Sequence, residues 1–169
     1  MNFHNLQRRT LFGVLVSLHI ILPITLSSQT VETITKESLR TMIDQRQGNI
    51  LLLNIWATWC KPCVEEFPDL IRISKELKNV EVIAVSVDYP DEIEEKILPF
   101  VKKMNVPFKV YVTDFNSQDE LFQLLDSEWS GEVPATFVFN SNGKQTAFLR
   151  GKHSYNEFKH AIEEVTNKR

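Results

Sequence analysis

Long apolar runs alternate with amphipathic segments along most of this 169-residue chain. The runs ILLLNIW and VEVIAVSVD are almost continuously apolar, which is typical of strands buried on both faces of a sheet. The segment TVETIT alternates instead, as expected for an edge strand. Strands are therefore predicted at 30–35, 50–56, 80–88 and 108–113, followed by a hairpin within 135–151 whose turn carries Asn142-Gly143.

Between the strands, apolar residues recur with the period of an amphipathic helix. Such helices are predicted at 35–46, 60–78, 90–104, 119–125 and 154–167. Thr35 is placed to cap the first helix, and Ser154 with Glu157 forms a capping-box pattern at the start of the last. The order of elements predicts one α/β domain with a mixed central sheet, helices on both of its faces, and a C-terminal β-hairpin and helix.

The first residues of the chain follow a different pattern. Arg8 and Arg9 precede an apolar stretch, 11–26, that gives way to small polar residues. This is typical of a secretory signal, so we expect 1–27 to be a signal peptide or, alternatively, an N-terminal membrane anchor. The stretch is shorter than the ~20 residues that span a bilayer comfortably, although thinning or tilt could accommodate it. Residues 28–169 would then form the domain, located in the periplasm or on the outer face of the cytoplasmic membrane.

The charge pattern excludes one broad class of partner. The net charge is −3, and the basic residues are scattered along the chain. A nucleic-acid surface needs a concentrated basic patch. We therefore expect no nucleic-acid partner.

The chain has only two cysteines, Cys60 and Cys63. A structural disulfide between them would close so short a loop that it would stabilise the fold weakly. A structural zinc site is disfavoured because two cysteines supply half of its ligands, and His153 and His160 lie far along the chain. Copper(I) accepts two thiolates, so a copper-binding module stays open as an alternative.

The position of the cysteines favours redox chemistry. Cys60 follows a predicted buried strand and begins a predicted helix, whose free N–H groups and dipole favour a thiolate. Cys63 lies one turn further, so the two sulfurs can meet, as thiol–disulfide exchange requires. Lys61 adds a positive charge, and Pro62 suits the first turn because its missing N–H has no intrahelical partner there.

The motif WCKPC after an apolar strand, the later stretch EVPATF, and the closing hairpin and helix together resemble the thioredoxin-like fold. Within that superfamily, LNIWATWCKPCVEEFP is similar to the exported TlpA/ResA-like thiol–disulfide oxidoreductases. The resemblance implies that Cys60 attacks the substrate disulfide and that Cys63 resolves the mixed disulfide. It also implies a cis peptide bond before Pro134, which would leave the Val133 backbone free to pair with an extended substrate segment.

The same resemblance assigns an acid to the site. Asn54 stands where cytoplasmic thioredoxins carry a buried acid, and Glu66 matches the acid of the ResA-like proteins. We therefore expect Glu66 to take the proton from Cys63 as that thiol attacks. The alternative is that Glu66 is a solvated glutamate like its neighbour Glu65.

A substrate groove is expected around Cys60. Its predicted residues are Trp59, Lys61, Pro62, Val133 and Pro134. Trp59 is expected to pack beside the cysteines and to shield Cys63, whereas Trp56 could belong to the core.

These features predict an exported enzyme, a monomer without a cofactor, that reduces protein disulfides through a Cys60/Cys63 dithiol–disulfide cycle. The resemblance implies apocytochrome c as a substrate, in cytochrome c maturation, and a membrane electron-donor protein that recharges the cysteines. A disulfide oxidase or isomerase is the nearest alternative, because nothing in the sequence fixes the reduction potential. A peroxidase is disfavoured, because the motif lacks the Pro/Thr-rich turn of peroxiredoxins.

Overall fold

The computed structural model describes residues 29–46 and 48–167. The strands are β1 (Val31–Ile34), β2 (Ile50–Trp56), β3 (Val80–Ser86), β4 (Lys109–Thr113), β5 (Ala135–Phe139) and β6 (Gln145–Arg150). The α-helices are α1 (Lys36–Asp44), α2 (Lys61–Glu76), α3 (Leu98–Met104), α4 (Gln118–Leu125) and α5 (Tyr155–Asn167). The strands form one sheet in the order β1-β4-β3-β2-β5-β6.

The sheet is mixed, as predicted. Strands β1, β4, β3 and β2 run parallel, whereas β5 pairs antiparallel with β2 and β6 antiparallel with β5. Strand β1 lies at one edge, in agreement with its alternating pattern, and β2 is buried along its whole length. The carboxyl ends of the neighbouring strands β2 and β3 therefore meet at the same edge of the sheet.

Two core layers cover the faces of the sheet. Leu51, Leu53 and Ile55 of β2 pack in one cluster with buried residues of α1 and α4. Ile50 and Leu52 pack on the other face with α2 and α5. Alternate residues of a strand point to opposite faces, which is why a strand covered on both sides is apolar at almost every position. The predicted α/β architecture is confirmed.

Local helix signals also agree with the structure. The Thr35 hydroxyl accepts a hydrogen bond from the Ser38 N–H at the start of α1. Before α5, the Ser154 N–H donates to the Glu157 carboxylate across 2.7 Å. Both contacts satisfy polar groups that a helix start leaves without an intrahelical partner.

The segment predicted as one helix at 90–104 is divided into three parts. A 3₁₀ turn at Pro90–Glu92 leads into a π-helical turn at Ile93–Ile97, and only Leu98–Met104 is α-helical. The Leu98 N–H reaches back to the Ile93 carbonyl. Pro99 follows directly, has no N–H, and its ring would crowd the preceding turn of a regular α-helix. The apolar period therefore predicted the buried face of this segment correctly, but the prediction of one continuous α-helix was wrong.

The predicted signal peptide or anchor at 1–27 lies outside the described residues, and the domain boundary at 28 stays a prediction. Within the part of the chain that the structure describes, no helix is both long and apolar enough to cross a membrane.

Candidate active site

The two cysteines lie where the chain passes from β2 into α2. Cys60 is the N-cap residue of α2 and is joined to Cys63 by a disulfide. The Cys60 sulfur accepts a hydrogen bond from the Cys63 backbone N–H at 3.2 Å. A sulfur in this position faces the positive end of the helix dipole, so the same contact would stabilise a Cys60 thiolate after reduction.

The two sulfurs differ in their access to solvent. Cys60 is 5% exposed and Cys63 is 0% exposed. Both belong to an apolar cluster that includes Trp56 and Phe67. Cys60 is therefore the more accessible of the two residues to a reagent or a substrate sulfur.

Trp59 does not shield Cys63, contrary to the prediction. It is 68% exposed. It lies in a turn closed by a hydrogen bond from the Cys60 N–H to the Ala57 carbonyl at 3.2 Å, and this turn leaves its side chain in solvent. Trp56, at the end of β2, packs in the same cluster as the cysteines instead. Trp59 remains a large exposed aromatic surface next to the disulfide.

The Val133-Pro134 peptide bond is cis, as the family resemblance implied. The Cys60 sulfur lies 3.6 Å from the Val133 carbonyl oxygen. The Pro134 carbonyl accepts a hydrogen bond from the Gly151 N–H at 2.9 Å, which ties this segment to the end of β6. Residues distant in sequence, Val133 and Cys60, thus form one surface.

Glu66 is a buried acid, 1% exposed, on the inner side of α2. One carboxylate oxygen accepts a hydrogen bond from the Asn54 side-chain amide at 2.7 Å, and the other accepts from the His153 backbone N–H at 3.1 Å. Burial raises the pKa of Glu66 to about 7, against the opposing effect of both hydrogen bonds. The carboxyl group can therefore exchange a proton close to neutral pH.

Its neighbour Glu65 behaves in the opposite way. Glu65 is exposed and pairs with Lys152 at 2.8 Å, with Lys61 more distant at 3.9 Å. The hydrogen bond from Lys152 lowers the pKa of Glu65. The expectation that Glu66 is buried and Glu65 solvated agrees with these environments, and the catalytic role of Glu66 stays a prediction.

Asn54 and Thr136 complete a buried polar group with Glu66. The Asn54 amide also donates to the Thr136 hydroxyl oxygen at 2.9 Å, and all three side chains are buried. Asn54 lies on β2 and Thr136 on β5, directly opposite each other in the sheet register. The network therefore connects Glu66 to the strand that follows Pro134.

Asp88 is a buried residue that sequence reasoning missed. Its carboxylate accepts hydrogen bonds from the Thr58 N–H and the Thr58 hydroxyl, both at 2.8 Å, and from the Ser86 hydroxyl. The signal was present in the sequence, because an acid directly after the apolar run of β3 reaches the same sheet edge as the residues after β2.

The remaining predicted groove residues are exposed. Lys61 and Pro62 lie on the solvent side of the first turn of α2.

His153 and His160 lie before and within α5, and His160 is 3.6 Å from Glu164. Among residues 29–46 and 48–167, no group of three or more His, Cys, Asp or Glu side chains could hold a metal ion.

Comparisons with known proteins agree with this geometry. The sequence model of the AhpC/TSA family matches residues 24–147. The thiol-disulfide oxidoreductase ResA of Geobacillus thermodenitrificans is 29% identical over 121 residues, covering 70% of this chain and 64% of that protein. ResA of Bacillus subtilis is 32% identical over 114 residues, covering 66% and 59%. The chain thus spans slightly less than two thirds of the relatives it matches.

A solved structure supports the fold. The crystal structure of a thiol:disulfide interchange protein of the thioredoxin family from Chlorobium tepidum superposes with a TM-score of 0.58 at 19% identity. The superposition covers 74% of this chain and 83% of that one. The predicted thioredoxin-like fold is confirmed.

Proposed function

The chain belongs to the AhpC/TSA family, and from this membership and the geometry of its disulfide we propose that it is an extracytoplasmic thiol–disulfide oxidoreductase. The observation that carries the proposal is the Cys60–Cys63 disulfide at the start of α2, with the Cys60 sulfur 3.6 Å from the Val133 carbonyl. The name of the ResA relatives, thiol-disulfide oxidoreductase, supports the same activity.

The proposed cycle begins with the reduced protein. The Cys60 thiolate attacks one sulfur of a substrate disulfide, a mixed disulfide forms, and the second substrate sulfur leaves as a thiolate that takes up a proton. Cys63 then gives up its proton and attacks the Cys60 sulfur, which releases the first substrate sulfur. Two electrons have passed to the substrate, and the protein holds the Cys60–Cys63 disulfide.

Glu66 supplies the base for the second half of the cycle in this proposal. A base is most effective when its pKa lies near the working pH, and burial brings the Glu66 carboxyl to about 7. The carboxyl group lies on the buried side of the helix that carries Cys63. In the proposed cycle it takes the Cys63 proton as that thiol attacks, and the proton passes to solvent after the Cys60–Cys63 disulfide has formed.

Substrate segments bind across Cys60 in this proposal. The Val133 backbone offers an edge for an extended chain, and Pro134 forms the floor beneath it. Trp59, Lys61 and Pro62 line the opposite side, where exposed aromatic and aliphatic surface would contact the substrate beside its disulfide.

We also propose a direction of electron flow, from this protein to its substrate. We propose a reductase of protein disulfides, with apocytochrome c as a substrate and a membrane electron-donor protein that reduces Cys60–Cys63 again. The hydrogen bond from the Cys63 N–H to the Cys60 sulfur favours the opposite direction, because it stabilises the reduced form and so makes the couple more oxidising. An oxidase or isomerase is therefore the second candidate.

Reduction of a model disulfide protein tests the thiol–disulfide oxidoreductase activity that both candidate functions share. The protein should accelerate reduction of insulin by dithiothreitol, and Cys60→Ser should abolish that acceleration because the attacking thiol is gone and the remaining Cys63 is fully buried. Lys75→Gln, an exposed change in the last turn of α2, is the control and should retain the wild-type rate. Equal rates with and without wild-type protein would contradict the proposal.

A further inference from the structure

Asp88 is a buried acid for which the proposed cycle has no role. It lies two residues beyond the end of β3 and is 2% exposed. Its carboxylate receives three hydrogen bonds, two from Thr58 and one from Ser86. The Ser86 hydroxyl oxygen in turn accepts the Asp88 N–H at 3.0 Å. Asp88 is thus hydrogen-bonded to the last residue of its own strand, β3, and to Thr58 in the segment that follows the neighbouring strand β2.

The segment that Asp88 holds leads directly to the nucleophile. Thr58 lies two residues before Cys60, inside the turn closed by the Cys60 N–H and the Ala57 carbonyl. Asp88 contacts both the backbone and the side chain of Thr58, at 2.8 Å each. A backbone hydrogen bond from the Val87 N–H to the Trp56 carbonyl, 2.9 Å long, adds a third link between the two strand ends.

We propose that Asp88 is a positioning residue for Cys60, an inference that rests on the proposed function. By holding Thr58 it fixes the turn so that the Cys60 sulfur stays against the Cys63 N–H and near the Val133 carbonyl. Hydrogen bonds to a carboxylate are stronger than those between neutral groups, and a buried N–H left without a partner is costly. Without Asp88, the turn moves and the thiolate loses its helix N-terminal donor.

The charge of Asp88 and its hydrogen bonds to Thr58 have opposite effects on the stability of the Cys60 thiolate, so the two effects can be measured separately. A carboxylate near Cys60 disfavours a second negative charge, whereas a well-placed N–H favours it. Lys61 follows Cys60 in the chain and is exposed, and Glu66 is a buried residue of the same helix. Lys96 lies close enough to Asp88, Glu92 and Glu95 for all three charges to act on it. The pKa of Lys96 is raised mainly by its hydrogen bond with Glu92 and also by Asp88.

The test compares Asp88→Ala with Asp88→Asn, which both lack the charge. Asparagine can still accept the Thr58 N–H and donate to the Thr58 hydroxyl oxygen, whereas alanine can do neither. Reduced proteins are alkylated with iodoacetamide across a pH series, and the labelled peptide is mapped to Cys60. Asp88→Ala should reach its alkylation midpoint at higher pH than Asp88→Asn and react about tenfold more slowly at pH 7, as loss of one charge-stabilising hydrogen bond implies. Asp91→Asn, an exposed change on the adjacent segment, should follow the wild-type profile.

Identical pH profiles for the alanine and asparagine variants would overturn the proposal, even if urea unfolding shows the alanine variant to be less stable. Asp88 would then only stabilise the fold. If Asp88→Ala does not fold, Thr58→Val removes one donor and keeps the charge. It should shift the profile in the same direction by a smaller factor, and an unshifted profile would refute the assignment. Alkylation reports on Cys60 itself, so this result is independent of whether the wild type accelerates insulin reduction.

Discussion

The side-chain amide of Asn54 and the carboxylate of Glu66 are joined by a 2.7 Å hydrogen bond between the central strand and the helix that carries the cysteines. Both residues are buried. The contact orients the Glu66 carboxyl, but it does not cancel the cost of burying its charge, and the pKa of Glu66 rises to about 7. This pair links the stability of the fold to the proton chemistry proposed for the disulfide.

The first prediction concerns which thiol reacts. In the reduced protein, limited alkylation should label Cys60 well before Cys63, because Cys60 is the N-cap residue and Cys63 is fully buried. Peptide mapping by mass spectrometry measures the ratio. Preferential labelling of Cys63 would reverse the roles of the two cysteines.

The second prediction follows from the raised pKa of Glu66. A carboxyl group whose folded pKa exceeds its unfolded value contributes stability that is present below the unfolded pKa and is lost as pH rises through the folded value. From pH 5 to pH 8 the wild type should therefore lose on the order of 3 kcal/mol of unfolding free energy relative to Glu66→Gln, which cannot ionise. Urea denaturation of the oxidised proteins at both pH values measures the difference.

Glu65→Gln is the matched control for that experiment. The pKa of Glu65 is lowered by Lys152, so its contribution is complete above the unfolded pKa and is lost only as pH falls. Between pH 5 and pH 8 this variant should keep the pH dependence of the wild type. If Glu66→Gln also keeps it, the carboxyl of Glu66 ionises normally in the folded protein.

The third prediction places a second acid beside Glu66. Asn54→Asp replaces the amide donor with a carboxyl group in direct contact with Glu66, and two carboxylates at that distance cannot both ionise. The variant should lose roughly 2–4 kcal/mol more stability at pH 8 than at pH 5. Asn79→Asp, an exposed change of the same chemistry, should show no such dependence. Equal behaviour of the two variants would mean that the Asn54 site is open to water.

The fourth prediction addresses the proposed base. Glu66→Gln keeps the shape of the side chain and removes its ability to take the Cys63 proton. Resolution of a preformed mixed disulfide between Cys60 and a thiol probe should slow by about 10²-fold, the lower range for general-base catalysis. Stopped-flow release of the probe measures the rate, and Glu65→Gln should resolve at the wild-type rate. A normal rate in Glu66→Gln would assign the proton transfer to water.

Much of this molecule could be predicted from its sequence because the relevant signals are local. The buried strand Ile50–Trp56 is apolar at every position except Asn54. Thr35 and Ser154 mark the starts of two helices, and the cysteines follow a strand at the start of another helix. The cis bond at Val133-Pro134 was predicted only through the family resemblance, since no spacing rule implies it.

The features that were missed depend on tertiary structure. Trp59 is apolar and borders the cysteines, but the direction of its side chain depends on a turn whose geometry is fixed by Asp88. The role of Asp88 depends on which strands are neighbours, and β2 and β3 are separated in sequence by the whole of α2. At 90–104, the apolar period is helical, but Pro99 is incompatible with a regular α-helix across the preceding turn, which is π-helical instead.

Trapping of the mixed disulfide tests the central claim most directly. Reduced Cys63→Ser is mixed with oxidised insulin, quenched with acid and analysed by intact-mass and peptide mass spectrometry. The account predicts a covalent adduct through Cys60 that accumulates, because the thiol that resolves it is absent, whereas Cys60→Ser forms little adduct. Absence of an adduct in Cys63→Ser, or an adduct of equal yield through Cys63 in Cys60→Ser, would contradict the assignment of Cys60 as the attacking thiol.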